Sequence, residues 1–336
     1  MEISKILNWP EKNLINILNN RTKNIKIAFI GAGPTIEQYI KVLKVIQYPK
    51  IEFCGIYNRT LSKSKILQKK YKIKYLCKSI DELYKKTKAD VVFSVVSVES
   101  IGKVALKASN YPWKIFSEKP LGINYLESLK LKKNLGIKRN KIFVALNRAF
   151  FSSTLTMLEL LKREKSKRII NVYDQQDISL FNNKKYSSKF KKNLMFSNSI
   201  HLFTLIKLLA RGNENEIKTI INYKKNNEKY MIKKITFTSG DTVVLHSIWN
   251  RPGPWKLDLS TSSNFFSLNP LEQLYIRSKK NRNNIKVNIS NDDRNYKPGF
   301  KKQIEFFLKG LKGKKKFNFQ FSLDIMKLIQ KYYFRN

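Results

Sequence analysis

From residue 26 onward the chain alternates between two hydrophobic periods. Short, nearly continuous apolar runs at 26–30, 51–57, 75–76, 91–98, 113–116 and 141–146 predict strands. Between them, apolar positions recur at helical spacing over 35–47, 60–71, 79–87, 99–109 and 123–135. The run Val-Val-Phe-Ser-Val-Val-Ser-Val at 91–98 has no polar face, which suits a central strand covered on both sides. Strand and helix in strict alternation predict a parallel sheet with right-handed crossovers. After about residue 150 the rhythm changes. A helix at 153–164, a strand at 168–179 and an apolar helix at 196–210 lead into strands at 216–224, 229–239, 242–249, 255–261 and 264–268. With no helices between them, these five predict a mostly antiparallel, open sheet with one wet face. Helices at 299–310 and 322–333 close the chain, and a helix at 11–20, with Pro10 in its first turn, precedes the first strand. The fold class is therefore α/β, an N-terminal parallel sheet followed by an α+β domain. The boundaries expected are a helical lead-in over 1–24, a first domain over 25–148 and a second over 149–336, its last helix able to pack back on the first domain.

The length of 336 residues agrees with two cores rather than one. Charge changes the picture more. Lys and Arg number 67 against 24 Asp and Glu, a formal net charge of +43. The basic residues are spread over the chain in short runs such as Lys184-Lys185, Lys191-Lys192 and Lys314 to Lys316. Drift towards Lys, Asn and Ile accounts for such scatter better than a nucleic-acid site, which concentrates its charge. No specific nucleic-acid partner is expected, although the field favours anionic ligands. Cys54 and Cys77 are too few for a disulfide framework. No apolar stretch approaches the ~20 residues of a membrane span, and the N-terminus lacks the apolar centre of a signal peptide. A cytoplasmic protein is expected.

Gly31-Ala32-Gly33 ends an apolar strand and opens a helix, with Pro34 and Thr35 in its first turn. There the first glycine makes the tight turn and the second admits a pyrophosphate to the helix N-terminus, as in a Rossmann domain. The third glycine of the usual fingerprint would fall at Ile36. At the end of the second strand stand Asn58 and Arg59 and no carboxylate, which predicts NADP over NAD, since Arg59 can pair with a 2′-phosphate. Ser97, at the end of the 91–98 run, is a further expected cofactor contact. The site requires no metal.

Ser117-Glu118-Lys119-Pro120-Leu121-Gly122 follows a parallel strand, at the sheet edge where open α/β sheets bind ligands. This segment resembles the Glu-Lys-Pro motif of the Gfo/Idh/MocA oxidoreductases, the glucose–fructose oxidoreductase and inositol dehydrogenase group. The stretches FVALNRAFFSSTL (143–155), DQQDI (174–178), MFSNSIHLF (195–203), NRPGPW (250–255), NPLEQ (269–273) and KPGF (297–300) are similar to a subgroup associated with polysaccharide and nucleotide-sugar biosynthesis. The resemblance implies that Glu118 and Lys119 lie at the nicotinamide, that Lys119 steadies the substrate oxygen and relays a proton, and that the Lys119–Pro120 peptide is cis. It also implies an acid/base role for His201, from the family's Asp-x-x-x-His pattern, and a homo-oligomer. Ser197 stands where that pattern has its Asp, so this position supplies no carboxylate to orient His201. Asn147, Arg148, Asn198, Arg251 and Trp255 are the further substrate-binding candidates; an arginine and an aromatic can clasp a sugar ring or a phosphate. His246, in a β-run, is expected to be structural. The activity implied is hydride transfer to or from a sugar carbon, the sugar being linked to a nucleotide. The missing Asp and third glycine motivate a rival, a non-catalytic binder of dinucleotide or sugar nucleotide. Charge alone motivates a third, a nucleic-acid-associated protein.

Overall fold

A computed structural model describes residues 24–47, 50–181, 186–225, 228–311 and 317–334. The expected helix at 11–20 and the lysine runs at 184–185 and 314–316 lie outside the described residues. The chain forms two compact units: one gathers the residues up to Leu146 with Phe300–Leu323, the other Asn147–Gly299 with the chain from Asp324 on.

The first unit is a six-stranded sheet of β1 (Ile25–Ile30), β2 (Ile51–Tyr57), β3 (Tyr75–Cys77), β4 (Val91–Ser94), β5 (Lys114–Glu118) and β6 (Ile142–Ala145) in the order β3-β2-β1-β4-β5-β6. All its pairings are parallel. The chain winds outward from β1 in one direction and from β4 in the other, so the topological switch lies between these two strands. The crossovers are α1 (Pro34–Val45), α2 (Leu61–Tyr71), α3 (Ile80–Thr87), α4 (Val98–Ala108) and α5 (Tyr125–Leu135). The strand expected over 91–98 is half that length. At Val95 the chain leaves the sheet to pass over Gly31, and Ser97 then begins α4.

Helix α11 (Phe300–Lys309) covers one face of this sheet. Phe307 packs edge-on against Phe93 and Phe116, and Phe300 stacks flat on Tyr39 of α1 at 4.2 Å between ring centroids. Phe317 O accepts from Val144 N at 2.9 Å along the sheet edge, where Phe143 also bridges Asn318. Sequence order had assigned 300–323 to the second domain; buried aromatic area brings it to the first.

The second unit is an eight-stranded sheet in the order β14-β13-β12-β11-β7-β10-β9-β8. Its strands are β7 (Ile169–Gln176), β8 (Glu214–Lys225), β9 (Glu228–Phe237), β10 (Thr242–Trp249), β11 (Trp255–Ser260), β12 (Asn264–Leu268), β13 (Leu274–Ser278) and β14 (Ile285–Lys286). Strands β13 and β14 were not foreseen. The expected meander is interrupted once: β10 and β11 do not pair, because β7 lies between them, parallel to β10 and antiparallel to β11. Alternation along β7 and β10 buries every second residue and leaves the other face half exposed. The buried face carries α6 (Ser152–Leu161), α9 (Ile200–Leu209) and α12 (Phe319–Phe334), where Tyr332 donates to Leu245 O at 2.8 Å; the short helices α7 (Ser188–Lys192) and α10 (Asp292–Asn295) lie in the connections. The helix expected over 196–210 breaks at Asn198-Ser199, which separate α8 (Leu194–Ser197) from α9. These two side chains bond to β7 instead of continuing one helix.

Candidate active site

Gly31 has φ +115, and a Cβ there would stand 2.0 Å from Val95 O. Only glycine permits that approach. Gly33 is different. It is the N-cap of α1, a Cβ on it would meet nothing within 4 Å, and no side chain caps the helix. The space that a side chain would fill and the unsatisfied first-turn N–H groups fit a pyrophosphate. Ile36, where a third glycine was absent, is fully buried and fills the helix–sheet contact instead.

The same distinction extends across the sheet. Helices α1, α2 and α4, which follow β1, β2 and β4, all start without a side-chain cap, at Gly33, Thr60 and Ser97. Helices α3 and α5 cap themselves. Ser79 Oγ accepts from Glu82 N while Glu82 accepts from Lys78 N, and Asn124 Oδ1 accepts from Glu127 N while Glu127 accepts from Ile123 N. The bare helix ends thus flank the topological switch, and the capped ones lie outside it. Two glycine substitutions separate structure from binding. Gly31→Ala is expected to lose about 3 kcal/mol or more of stability through the clash. Gly33→Ala should keep its stability within about 1 kcal/mol yet bind NADPH at least ~10-fold more weakly. Thermal unfolding and fluorescence titration check the pair.

Asn58 Nδ2 donates to Thr60 O and shapes the turn after β2. Arg59 is exposed there, and among the described residues no carboxylate pairs with it. Lys119 follows β5, and the Lys119–Pro120 peptide is cis. Glu118 supports this turn from below: Oε2 accepts from Lys119 N at 3.2 Å and Oε1 from Tyr39 Oη at 2.5 Å. Burial, then the Glu118 charge, pushes the Tyr39 phenol well above its ordinary range, so it remains a donor. Tyr39 had not been singled out in the sequence.

In the second unit several expected substrate residues come together, and the carboxylate that links them was not foreseen. Asp174 is fully buried on β7. It accepts from Tyr333 Oη at 2.7 Å, from Trp255 Nε1 at 3.2 Å, and from Gln176 Nε2. Burial pushes its carboxyl above the ordinary range, against the pull of these donors and of Ser199. Gln176 Oε1 in turn accepts from Asn198 Nδ2 at 2.8 Å. The Arg148 guanidinium lies over the Trp255 ring at 4.6 Å. Asn198, Trp255 and Arg148 are thereby joined through Asp174 and Gln176. The signal was legible: Asp174 and Gln176 fall on the inward face of a strand whose other inward residues are Ile170 and Val172.

His201 is buried in α9, one turn after the break at Asn198, and Ser197 is buried beside that break. Asn147 holds the turn before α11: its Nδ2 donates to Pro298 O at 3.1 Å. Arg251 stands apart from Trp255, exposed and paired with Glu228 at 3.2 Å. His246 lies on the open sheet face, stacked on Tyr173 at 4.5 Å with Tyr230 Oη at its Nδ1.

A Rossmann sheet with bare helix ends at its switch point and a second, mostly antiparallel unit give the chain the architecture of a dinucleotide-binding Rossmann domain followed by an α+β domain. The sequence profile of the Gfo/Idh/MocA oxidoreductase family, with its NAD-binding Rossmann fold, matches residues 25–146. No curated protein sequence matches the chain. Solved structures share the fold over nearly its whole length. A UDP-N-acetylglucosamine 3-dehydrogenase from Acidithiobacillus ferrooxidans aligns at 12% identity and TM-score 0.71, over 92% of this chain and 97% of that one. A 3-ketoreductase from Actinomadura kijaniata, solved with NADP and TDP-benzene, aligns at 11% identity and TM-score 0.71, over 92% and 97%. An NAD-binding oxidoreductase from Klebsiella pneumoniae aligns at 14% identity and TM-score 0.76, over 92% and 96%. Among the described residues no helix is long and apolar enough to cross a membrane.

Proposed function

We propose that the chain is an NADP-preferring dehydrogenase or reductase acting at a hydroxyl or ketone carbon of a nucleotide-linked sugar, in surface polysaccharide biosynthesis in the cytoplasm. The observation that carries this reading is Lys119 at the carboxyl edge of β5, on the same sheet edge as the bare N-termini of α1, α2 and α4. NADP, when bound, supplies or accepts the hydride. Gly31, Ala32, Gly33, Pro34, Thr35 and Ser97 form its phosphate-binding turns, with Asn58 and Arg59 at the adenosine ribose. The Lys119 ammonium steadies the substrate oxygen whose charge changes and relays a proton at Nζ. His201 is the second acid/base group. Arg148, Asn198 and Trp255, organised by Asp174, bind the sugar nucleotide, with Asn147 and Arg251 at its margins. The two neighbours named as acting on a UDP-sugar and as a 3-ketoreductase with a TDP ligand support the substrate class. Half-exposed Tyr173, Ile232, Val244 and His246 on the open sheet face support pairing with a second copy.

Fluorescence titration with NADPH and NADH is the test of the cofactor half. NADPH should bind about 10-fold more tightly, and Arg59→Asp should erase or invert the preference. Equal affinities in the wild type, or no binding of either, would sink this assignment. Ser197 in the place of the family Asp favours the rival reading of a non-catalytic binding protein. Turnover of any UDP- or TDP-sugar with NADPH or NADP would dismiss it.

A further inference from the structure

The Arg148 side chain is largely buried yet lacks an anion. Its Nε is inaccessible to solvent and meets no acceptor. Among the described residues, no carboxylate or carbonyl takes a hydrogen bond from its guanidinium, and no ion pair reaches it. Glu272 acts on it only through space, and burial lowers its pKa to about 10, which leaves it charged at neutral pH.

A largely buried cation without an anion beside it is costly, so the surroundings that hold it there matter. Arg148 O accepts from Thr154 Oγ1 at 2.9 Å, and Asn147 next to it is tied to Pro298. The guanidinium lies over the Trp255 ring at 4.6 Å from its centroid, with the Phe151 ring at 6.0 Å. Trp255 is itself fixed by its bond to buried Asp174. Backbone, stacking partner and ring orientation are all set, and the planar edge of donors is what remains unsatisfied. A preset guanidinium fork matches an oxyanion, whose two oxygens can take parallel N–H bonds.

We propose that Arg148 is the receptor for an oxyanion on the substrate, a phosphoryl group or a carboxylate. This deepens the functional reading above and rests on it for the word substrate, since the anion site itself is defined within the second unit. It requires the sugar ligand to be acidic, as a nucleoside diphosphate or as a sugar acid. Neutral sugars would leave the guanidinium as it stands.

The test is calorimetric titration of the full chain with UDP and with D-glucuronate, each beside its neutral counterpart, uridine and D-glucose, at constant ionic strength. One of the two anions should bind saturably and more tightly than its counterpart. Which one it is distinguishes a diphosphate from a sugar carboxylate. Arg148→Met should weaken that binding by about 10-fold or more, and Arg148→Lys by less. Arg277→Gln, which removes one exposed charge on β13, should leave it within about 2-fold. Arg148→Met should also be as stable as the wild type in anion-free buffer, because an apolar side chain of similar length replaces a largely buried charge that has no anion beside it. Equal anion binding by wild type and Arg148→Met, or no preference for either anion over its neutral counterpart, would overturn the proposal. NADPH titration of the same proteins keeps the two readings apart. Anion binding without NADPH binding would remove the dehydrogenase reading and leave this site. NADPH binding without an Arg148-dependent anion effect would do the reverse.

Discussion

Lys119→Ala is expected to lower turnover by about 10³-fold while NADPH affinity stays within about 3-fold of the wild type. The asymmetry follows from what the side chain is for. On the proposed reading, cofactor binding draws on the glycine turn and the bare helix ends after β1, β2 and β4, none of which Lys119 builds. On the same reading, the charge at the reacting oxygen is met by the Lys119 ammonium, with His201 as the second acid/base group. The turn should survive the substitution, because Glu118 binds the backbone N–H of residue 119 and Tyr39, not the lysine head. Single-turnover rates with a UDP- or TDP-sugar substrate, beside NADPH titration, read the two quantities separately. A fully active Lys119→Ala enzyme would remove this residue from the catalytic assignment. A parallel loss of NADPH binding would instead mark it as a cofactor anchor.

The largest effect on stability is expected at Asp241. Its carboxylate is fully buried in the turn between β9 and β10. It accepts from Arg168 N, from Arg211 N and from the Arg211 guanidinium, each at 2.6 to 2.9 Å. Arg211 also donates to Ser166 O and Lys165 O, so one carboxylate ties together the entry to β7, the exit from α9 and the β9–β10 turn. Asp241→Ala leaves Arg211 and two backbone N–H groups without their acceptor and should destabilise the protein by about 3–5 kcal/mol. Burial alone would raise this carboxyl; the Arg211 bonds and the backbone N–H groups outweigh it and hold it below its ordinary value of 3.8. The sign of the pH dependence follows. A depressed carboxyl stabilises the fold above its unfolded value and loses that contribution as pH falls through the folded one. Urea unfolding should therefore show the full gap between wild type and Asp241→Asn at pH 5 to 7, narrowing at about pH 3.5 and below. A gap independent of pH would mean that the charge of Asp241 is not what holds these segments.

Much of the first unit was legible because its determinants are local. The helix of 79–87 could be bounded from Ser79 and Glu82, which do cap it. Tyr39, by contrast, looked like any apolar helix residue. Its role needs Glu118, 79 positions away, brought to hydrogen-bond distance where α1 packs against β4 and β5 and Tyr39 also meets Phe93 and Phe116. The strand expected over 91–98 overran for a related reason. Apolar content gave no sign that Val95 must turn away to cross Gly31. In the second unit Asn198 and Trp255 were picked out as residue types suited to a sugar, but the buried carboxylate connecting them was passed over as part of a strand. Arg251 and Trp255, close in sequence, separate because the chain turns between β10 and β11 and only Trp255 enters the inward face.

By itself the sequence determined most of the elements of the first unit, the parallel sheet, the glycine turn and the lysine at its edge. Each depends on periodicity, capping or backbone freedom within a few residues. Only the tertiary structure decided that β7 would separate β10 from β11, that 300–323 would complete the first unit, and that a buried Asp174 would organise a ring beneath an unpaired Arg148. Those outcomes depend on which distant surfaces bury the most apolar area and which buried polar groups then find partners. Neither quantity exists until the chain is packed.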